Sequence, residues 1–234
     1  MSKKAWIIFV AAVVVFLGAL VAMSNSKKVD VSNVNAAAIQ SASEQTGNIA
    51  DHTLGKKDSK VVLVEYGDFQ CPGCKAVHPT VKALAEKYED QITFVFRNFP
   101  LTTIHPNARV AAASAEAAGL QGKYWEMHDM LYENQDSWST LSPDERSEFF
   151  AGYAKDLELN VDQFKTDLAS EAISKKINYD LALGRKVGVS GTPGLFLNGS
   201  ELTQPTWSDP TKFEDAIKAE LKKNNIALPE TDQE

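Results

Sequence analysis

The 234 residues carry 24 lysines and arginines against 31 aspartates and glutamates, a formal net charge of −7, with two cysteines. The first 24 residues hold two lysines and no acid, so the remainder stands at 22 basic to 31 acidic residues. A surface that acidic argues against nucleic acid or an anionic membrane face as partner, and two cysteines exclude both a four-cysteine zinc site and a disulfide framework.

Lys3 and Lys4 precede an uncharged apolar stretch over 5–23. As a helix it would rise roughly 28 Å, close to the ~30 Å hydrocarbon core of a bilayer. Secretory signal h-regions are shorter, roughly 7–15 residues. Residues 1–24 therefore read as a transmembrane anchor, with Ala22-Met23-Ser24 offering a small-x-small cleavage site as the alternative. No cysteine follows the stretch to carry a lipid. Lys27 and Lys28 match Lys3 and Lys4 across it, so orientation is weakly marked. The long C-terminal body favours an extracytoplasmic domain, where disulfides persist. Residues 25–50 lack an apolar period and are expected to form a flexible stalk, ahead of one domain over 51–228 and a polar tail over 229–234.

The run Val61-Val62-Leu63-Val64-Glu65-Tyr66 is expected as a buried strand. Cys71-Pro72-Gly73-Cys74 follows it directly and opens a helix carried by Val77, Val81, Leu84, Ala85 and Tyr88, which Pro79 should kink. A lone C-x-x-C after a strand reads as a dithiol/disulfide pair. Residues 92–97 form the next strand, and strand, helix, strand at this spacing is a parallel βαβ unit. A helix-rich middle follows over 107–120, 124–134, from Ser142-Pro143-Asp144-Glu145 to Leu157, 160–168 and 171–186, an insertion over about 104–186. Gly194-Leu195-Phe196-Leu197, Asn198-Gly199 and Glu201-Leu202 read as a hairpin. Residues 211–223 close the domain as an amphipathic helix with Phe213, Ile217 and Leu221 on one face.

In this order the parts resemble the DsbA-type thiol–disulfide oxidoreductases. The matching stretches are His52-Thr53-Leu54-Gly55, then residues 61–66 with Gly67-Asp68-Phe69-Gln70 before the cysteine motif. They continue with Arg97-Asn98-Phe99-Pro100-Leu101 through His105, the alanine-rich 108–118, Gly122-Lys123-Tyr124-Trp125-Glu126-Met127-His128-Asp129 and Gly191-Thr192-Pro193. The resemblance runs from about His52 to Lys223. It implies an α/β thioredoxin-like fold with an inserted all-helical lobe, and a cis bond at Pro193 whose turn presents the backbone of Thr192 to an extended substrate. It also implies that Glu65 is a buried acid passing a proton to or from Cys74, against the alternative of an edge-strand carboxylate facing water.

Cys71, at a helix N-terminus, meets unpaired N–H groups and the positive end of the helix dipole, which favour its thiolate. It is expected to be the exposed attacking residue, and Cys74, one turn on, the buried resolving one. Pro72 suits the first helical turn. If the Cys71 pKa falls from about 8.5 to about 5, the reduced pair gains roughly 2.7 kcal/mol at pH 7, or about 60 mV toward oxidising. The best-known oxidases of the family have histidine where this chain has Gly73, so a weaker oxidant is expected here. With no flavin, nucleotide or metal motif, the expected redox centre is the Cys71–Cys74 pair itself, without a cofactor.

The function expected is the donation of disulfides to exported proteins. The resemblance implies reoxidation by a membrane partner that passes electrons to quinone. A reductase or isomerase would use the same residues in the other direction. A metal chaperone on Cys71, Cys74 and His78 (for zinc or Cu(I)) or a peptide-binding chaperone are the alternatives of another class, and no resident metal is expected. His105, Trp125 and His128 read as loop and packing residues, and Asn198-Gly199-Ser200 as a hairpin rather than a glycosylation site.

Overall fold

The computed structural model describes residues 29–229, with Lys4, Trp6, Phe9, Val10, 12–14 and Phe16 ahead of them in helix. Among the described residues no helix is long and apolar enough to cross a membrane. The expected span over 5–23 falls largely outside the described residues, and so do residues 230–234 of the expected tail. The chain divides into Met1–Asp30 and Val31–Glu234, and the second unit carries the fold.

Five strands, β1 (His52–Gly55), β2 (Val62–Gly67), β3 (Thr93–Asn98), β4 (Gly194–Leu197) and β5 (Ser200–Leu202), form one sheet in the order β1-β3-β2-β4-β5. β2 and β3 pair in parallel through the crossover helix α1 (Pro72–Lys87), as a βαβ unit requires. The other pairings are antiparallel. β2 and β3 are central and buried along almost their whole length, which is why they read as continuous apolar runs without alternation. β1 is a difference from the sequence reading, which began the sheet at β2. It is short and only half-buried, so it shows no apolar signature. Asn198 and Gly199 both adopt positive φ in the β4–β5 turn, as a tight hairpin of this kind needs.

α1 buries Cys74, Val77, His78, Val81, Leu84 and Ala85 against the sheet, and it runs from Pro72 to Lys87 with Pro79 inside it. Between β3 and β4 lie α2 (Ala108–Leu120), α3 (Tyr124–Glu133), α4 (Gln135–Trp138), α5 (Pro143–Asp156), α6 (Val161–Leu168) and α7 (Glu171–Lys186). Small residues let α2 sit close to its neighbours: Ala108, Ala111, Ala115, Ala117 and Ala118 are wholly buried. Caps set the helix starts. The Glu145 carboxylate accepts from the Ser142 N–H at 3.0 Å, and Asn160 Oδ1 accepts from the Gln163 N–H at 3.0 Å. After β5 come α8 (Gln204–Trp207) and α9 (Pro210–Lys223), the latter burying Phe213, Ile217 and Leu221 as expected.

The flexible stalk expected over 25–50 is corrected over residues 31–50, which belong to the unit Val31–Glu234 and are bonded to the rest of it. Arg97, fully buried in β3, donates to the carbonyls of Ala36 at 2.5 Å and Ala38 at 2.7 Å. Lys186 at the end of α7 donates to the carbonyls of Val31 and Ser32, each at 2.8 Å. The segment is held largely through its backbone oxygens, with Val31, Ala36 and Ile49 buried at irregular spacing, so no apolar period gave a sign of it.

Candidate active site

β2 delivers the chain to the cysteine motif through a tightly tied loop. At Gly67 a Cβ would lie 2.3 Å from the Phe96 ring, so only glycine lets the strand turn there. The next residue, Asp68, is buried and gathers donors from three places. Its carboxylate accepts from the Gln70 N–H at 2.8 Å and the Leu101 N–H at 2.9 Å, and meets His105 Nδ1 at 2.7 Å. Its carbonyl accepts from the Cys71 N–H at 3.0 Å. Gln70 accepts from the Asn107 N–H at 2.7 Å and donates to the Ser139 carbonyl at 2.7 Å. Gln135 of the inserted lobe donates to the carbonyls of Phe69 at 2.7 Å and Cys71 at 3.1 Å. Sequence reasoning missed Asp68, Gln70 and Gln135 as supports and treated His105 as a loop residue. The signal, had it been weighed, was an Asp and a Gln flanking an aromatic residue just before the motif.

Cys71 caps α1 with extended backbone (φ −72°, ψ 123°), and Pro72 takes the first helical position, where a missing N–H leaves nothing unpaired. The two cysteines are free. Hydrogen bonding from the Cys74 thiol, opposed by partial burial and helped by the Thr192 side chain and by the N–H groups of Cys74 and Gly73, lowers the Cys71 pKa to about 5. The Thr192 carbonyl, 3.3 Å from Cys71 Sγ, accepts from the protonated thiol and therefore favours the opposite state. The thiolate keeps the Cys74 and backbone donors. Cys74 is wholly buried, and its pKa is raised well above its ordinary value by desolvation, by its bond to Cys71 and by the charge of Glu65. The prediction of an exposed Cys71 needs one correction: only 8% of its surface is accessible, because the Thr192–Pro193 turn and Gly73 flank it.

Glu65 lies in central β2, opposite Phe96 of β3 and Leu195 of β4, which removes the edge-strand alternative. Burial first, and the Cys71 charge second, push its pKa up to about 8, and its Oε1 has no hydrogen-bond partner. The Thr192–Pro193 peptide bond is cis. A Cβ on Gly73 would meet Pro193 Cδ at 3.5 Å, Cys71 Sγ at 3.6 Å and the Thr192 carbonyl at 3.7 Å, ordinary contacts that bring the motif and the Thr192–Pro193 turn together. The fold thus gathers Glu65, Cys71, Pro72, Gly73, Cys74, Thr192 and Pro193 in one place.

His78 does not join the cysteines. Among the described residues, His78, His128 and Asp129 form a group of three possible metal ligands whose donor atoms lie within 4.8 Å of one another. Trp125 and His128 pack as expected, with Trp125 5.4 Å from Phe94 and His128 4.7 Å from Phe96 between ring centroids.

The sequence profile described as thioredoxin matches residues 47–219. The chain belongs to the thioredoxin family. A probable disulfide bond formation protein D of Bacillus cereus is 32% identical over 228 residues, covering 93% of this chain and 95% of that one. The resemblance to DsbA-type proteins therefore holds. A Na(+)/H(+) antiporter NhaA 1 of Salinispora arenicola is 42% identical over 149 residues, 64% of this chain, and this chain spans 22% of the antiporter's length. Oxidised BdbD from Bacillus subtilis superposes with a TM-score of 0.62 at 23% identity, covering 80% of this chain and 100% of that one. The thiol-disulfide exchange protein alpha-DsbA2 from Wolbachia pipientis does so with a TM-score of 0.61 at 24% identity, over 75% of this chain and 90% of that one. These two likenesses concern the fold.

Proposed function

We propose that this chain is a membrane-tethered, extracytoplasmic thiol–disulfide oxidoreductase that donates the Cys71–Cys74 disulfide to exported proteins. The observation that carries the reading is the split between two cysteines one helical turn apart, one pKa lowered to about 5 and the other raised well above 9. A substrate thiolate attacks Cys71 Sγ, a sulfur–sulfur bond forms there, and Cys74 leaves with the electron pair. Cys74 is a poor leaving group unless it is protonated as it departs. Glu65, held protonated by burial with a pKa of about 8, supplies that proton. A second substrate thiolate then attacks its own sulfur in the mixed disulfide and expels Cys71, which leaves readily because its thiolate is stabilised. The substrate is left oxidised and the protein as a dithiol.

The low Cys71 pKa favours the reduced product and hence the donating direction. A full shift to about 5 corresponds to at most about 60 mV at pH 7. Thr192 and Pro193 flank Cys71, where an extended substrate would lie along the Thr192 backbone. A membrane partner that passes electrons to quinone would restore the disulfide, and the N-terminal segment would hold the domain at the bilayer. The disulfide-formation relative of nearly equal length supports this reading.

Trapping tests it. A Cys74→Ala variant, expressed as the full chain, is expected to accumulate mixed disulfides with exported proteins through Cys71, and Cys71→Ala to accumulate none. Equal trapping by both variants, or none by either, would rule the mechanism out.

A further inference from the structure

We propose that His78, His128 and Asp129 form a binding site for a divalent transition-metal ion, with zinc the natural occupant, where α1 faces α3. Two observations point to a ligand. The candidate donor atoms are already gathered: His128 Nδ1 is 3.0 Å and His78 Nε2 3.7 Å from the same Asp129 oxygen, and the whole group fits within 4.8 Å. Zinc bonds of about 2.0–2.1 Å in a tetrahedron hold their ligand atoms roughly 3.3–3.4 Å apart, so shifts on the order of an ångström would close the set around an ion. Independently, His78 is 94% buried, yet its Nε2 has no hydrogen-bond partner. A buried polar nitrogen without a partner is costly in a folded protein, and a metal bond would satisfy it.

The surroundings suit an open coordination position. A cavity of about 170 Å³ lies against the three side chains, lined also by Trp125, Lys82 and Glu86. It is large enough for water to complete the coordination. Both imidazoles are kept neutral, chiefly by burial. His128 donates its Nδ1–H to Asp129 without metal, and binding an ion there would shift that proton to Nε2, which has no partner. The competitor is Lys82, whose ammonium holds the other Asp129 oxygen at 2.5 Å and lies 3.5 Å from Glu133. Its side chain is 36% exposed, so it can turn to Glu133 and Glu86 when Asp129 takes an ion. Two histidines with one carboxylate select zinc and its neighbours over calcium or magnesium, which prefer all-oxygen sets. The bound ion would clamp the cysteine-bearing helix, four residues beyond Cys74, to the inserted lobe.

The site is independent of the redox reading, because its test does not involve thiol exchange. The full chain is first oxidised, so that neither cysteine can bind metal, and then titrated with zinc by calorimetry and with Co(II) by visible absorption. One equivalent of zinc and a Co(II) d–d spectrum without a thiolate charge-transfer band are expected. Asp129→Asn and His78→Gln should weaken zinc binding by roughly tenfold or more, with metal-free melting curves checking that each folds. Lys82→Met, which removes the competing cation and leaves the ligands intact, should tighten it several-fold. Should His78→Gln not fold, Asp129→Asn and Lys82→Met decide the matter. The proposal is overturned by no stoichiometric binding, by binding that Asp129→Asn leaves unchanged, or by binding seen only when the cysteines are reduced.

Discussion

Two of the regions in which this fold buries carboxylates, one around Asp51 and one around Glu65, push these two acids in opposite directions. In the first, Asp51, Arg97, Lys176, Asp180, Asn98, Glu116 and His52 form a closed network. Arg97 donates to Asp51 at 2.7 Å, and Lys176 bridges Asp51 at 3.1 Å and Asp180 at 2.7 Å. Asn98 joins Asp180 to Glu116, which in turn meets His52 at 2.9 Å. Although burial opposes it, the nearby cations hold the Asp51 pKa at about 2. In the second region Glu65 is equally buried but has no cation beside it, and its pKa rises to about 8. Between Asp51 and Glu65 the difference is set by partners rather than by depth. Within the first region, Asp180 is bonded to Lys176 but crowded by Asp51 and Glu116, and its pKa is raised to about 6, chiefly by burial. Asp51, held by two cations, is a fixed structural charge, whereas Glu65, with none, stays protonated at neutral pH and is near enough to the cysteines for their charges to act on one another.

Breaking the first region should have the largest effect. Lys176→Met leaves Asp51 and Asp180 facing one another without the bridging ammonium, and is expected to destabilise the protein by about 3–5 kcal/mol in urea or thermal unfolding. The same logic gives Glu65→Gln the opposite sign. An unfolded Glu65 ionises near 4.5 and the folded one near 8, so the native state loses stability as pH rises across that interval. Glu65→Gln should therefore melt like the wild type below pH 4 and gain about 1–3 kcal/mol by pH 8, while slowing thiol exchange. A variant destabilised at pH 8 would show that Glu65 has a partner after all.

Gln135→Leu removes the donor to the Phe69 and Cys71 carbonyls. A cost of about 1–2 kcal/mol is expected, with a change in the Cys71 pKa that a purely structural residue would not produce. The smallest effect belongs to Gly73→His. The space there accepts a side chain, and an imidazole beside Cys71 should lower the thiolate pKa below about 5 and raise the redox potential by some tens of mV. Thiolate absorbance against pH reads both changes.

Features held in a few consecutive residues were legible in the sequence, and features built from distant ones were not. The cysteine motif after a strand, the βαβ unit and the Asn-Gly hairpin each occupy a short window whose chemistry dictates its geometry, while the cis turn at Thr192-Pro193 came from the family resemblance. Glu65 was legible because a lone acid stands out within a buried apolar run. The ionic network joins residues 46 and 125 positions apart, and no local pattern marks Asp51, Arg97 or Lys176 as partners. β1 escaped notice because a half-buried strand of four residues has too few apolar positions to show a period. The segment over 31–50 looked like a linker because much of its attachment runs through backbone carbonyls and its buried Val31, Ala36 and Ile49 follow no period. His78 was considered with the cysteines one turn away, but its place in α1 turns it toward α3 instead.

The central claim is that the Cys71–Cys74 pair is poised to give its disulfide away, and the equilibrium redox potential in glutathione buffers tests it most directly. The account predicts a value at or above about −210 mV, within or above the poise of oxidising compartments. A value near about −270 mV, that of thioredoxin itself, would contradict it and make the protein a reductase.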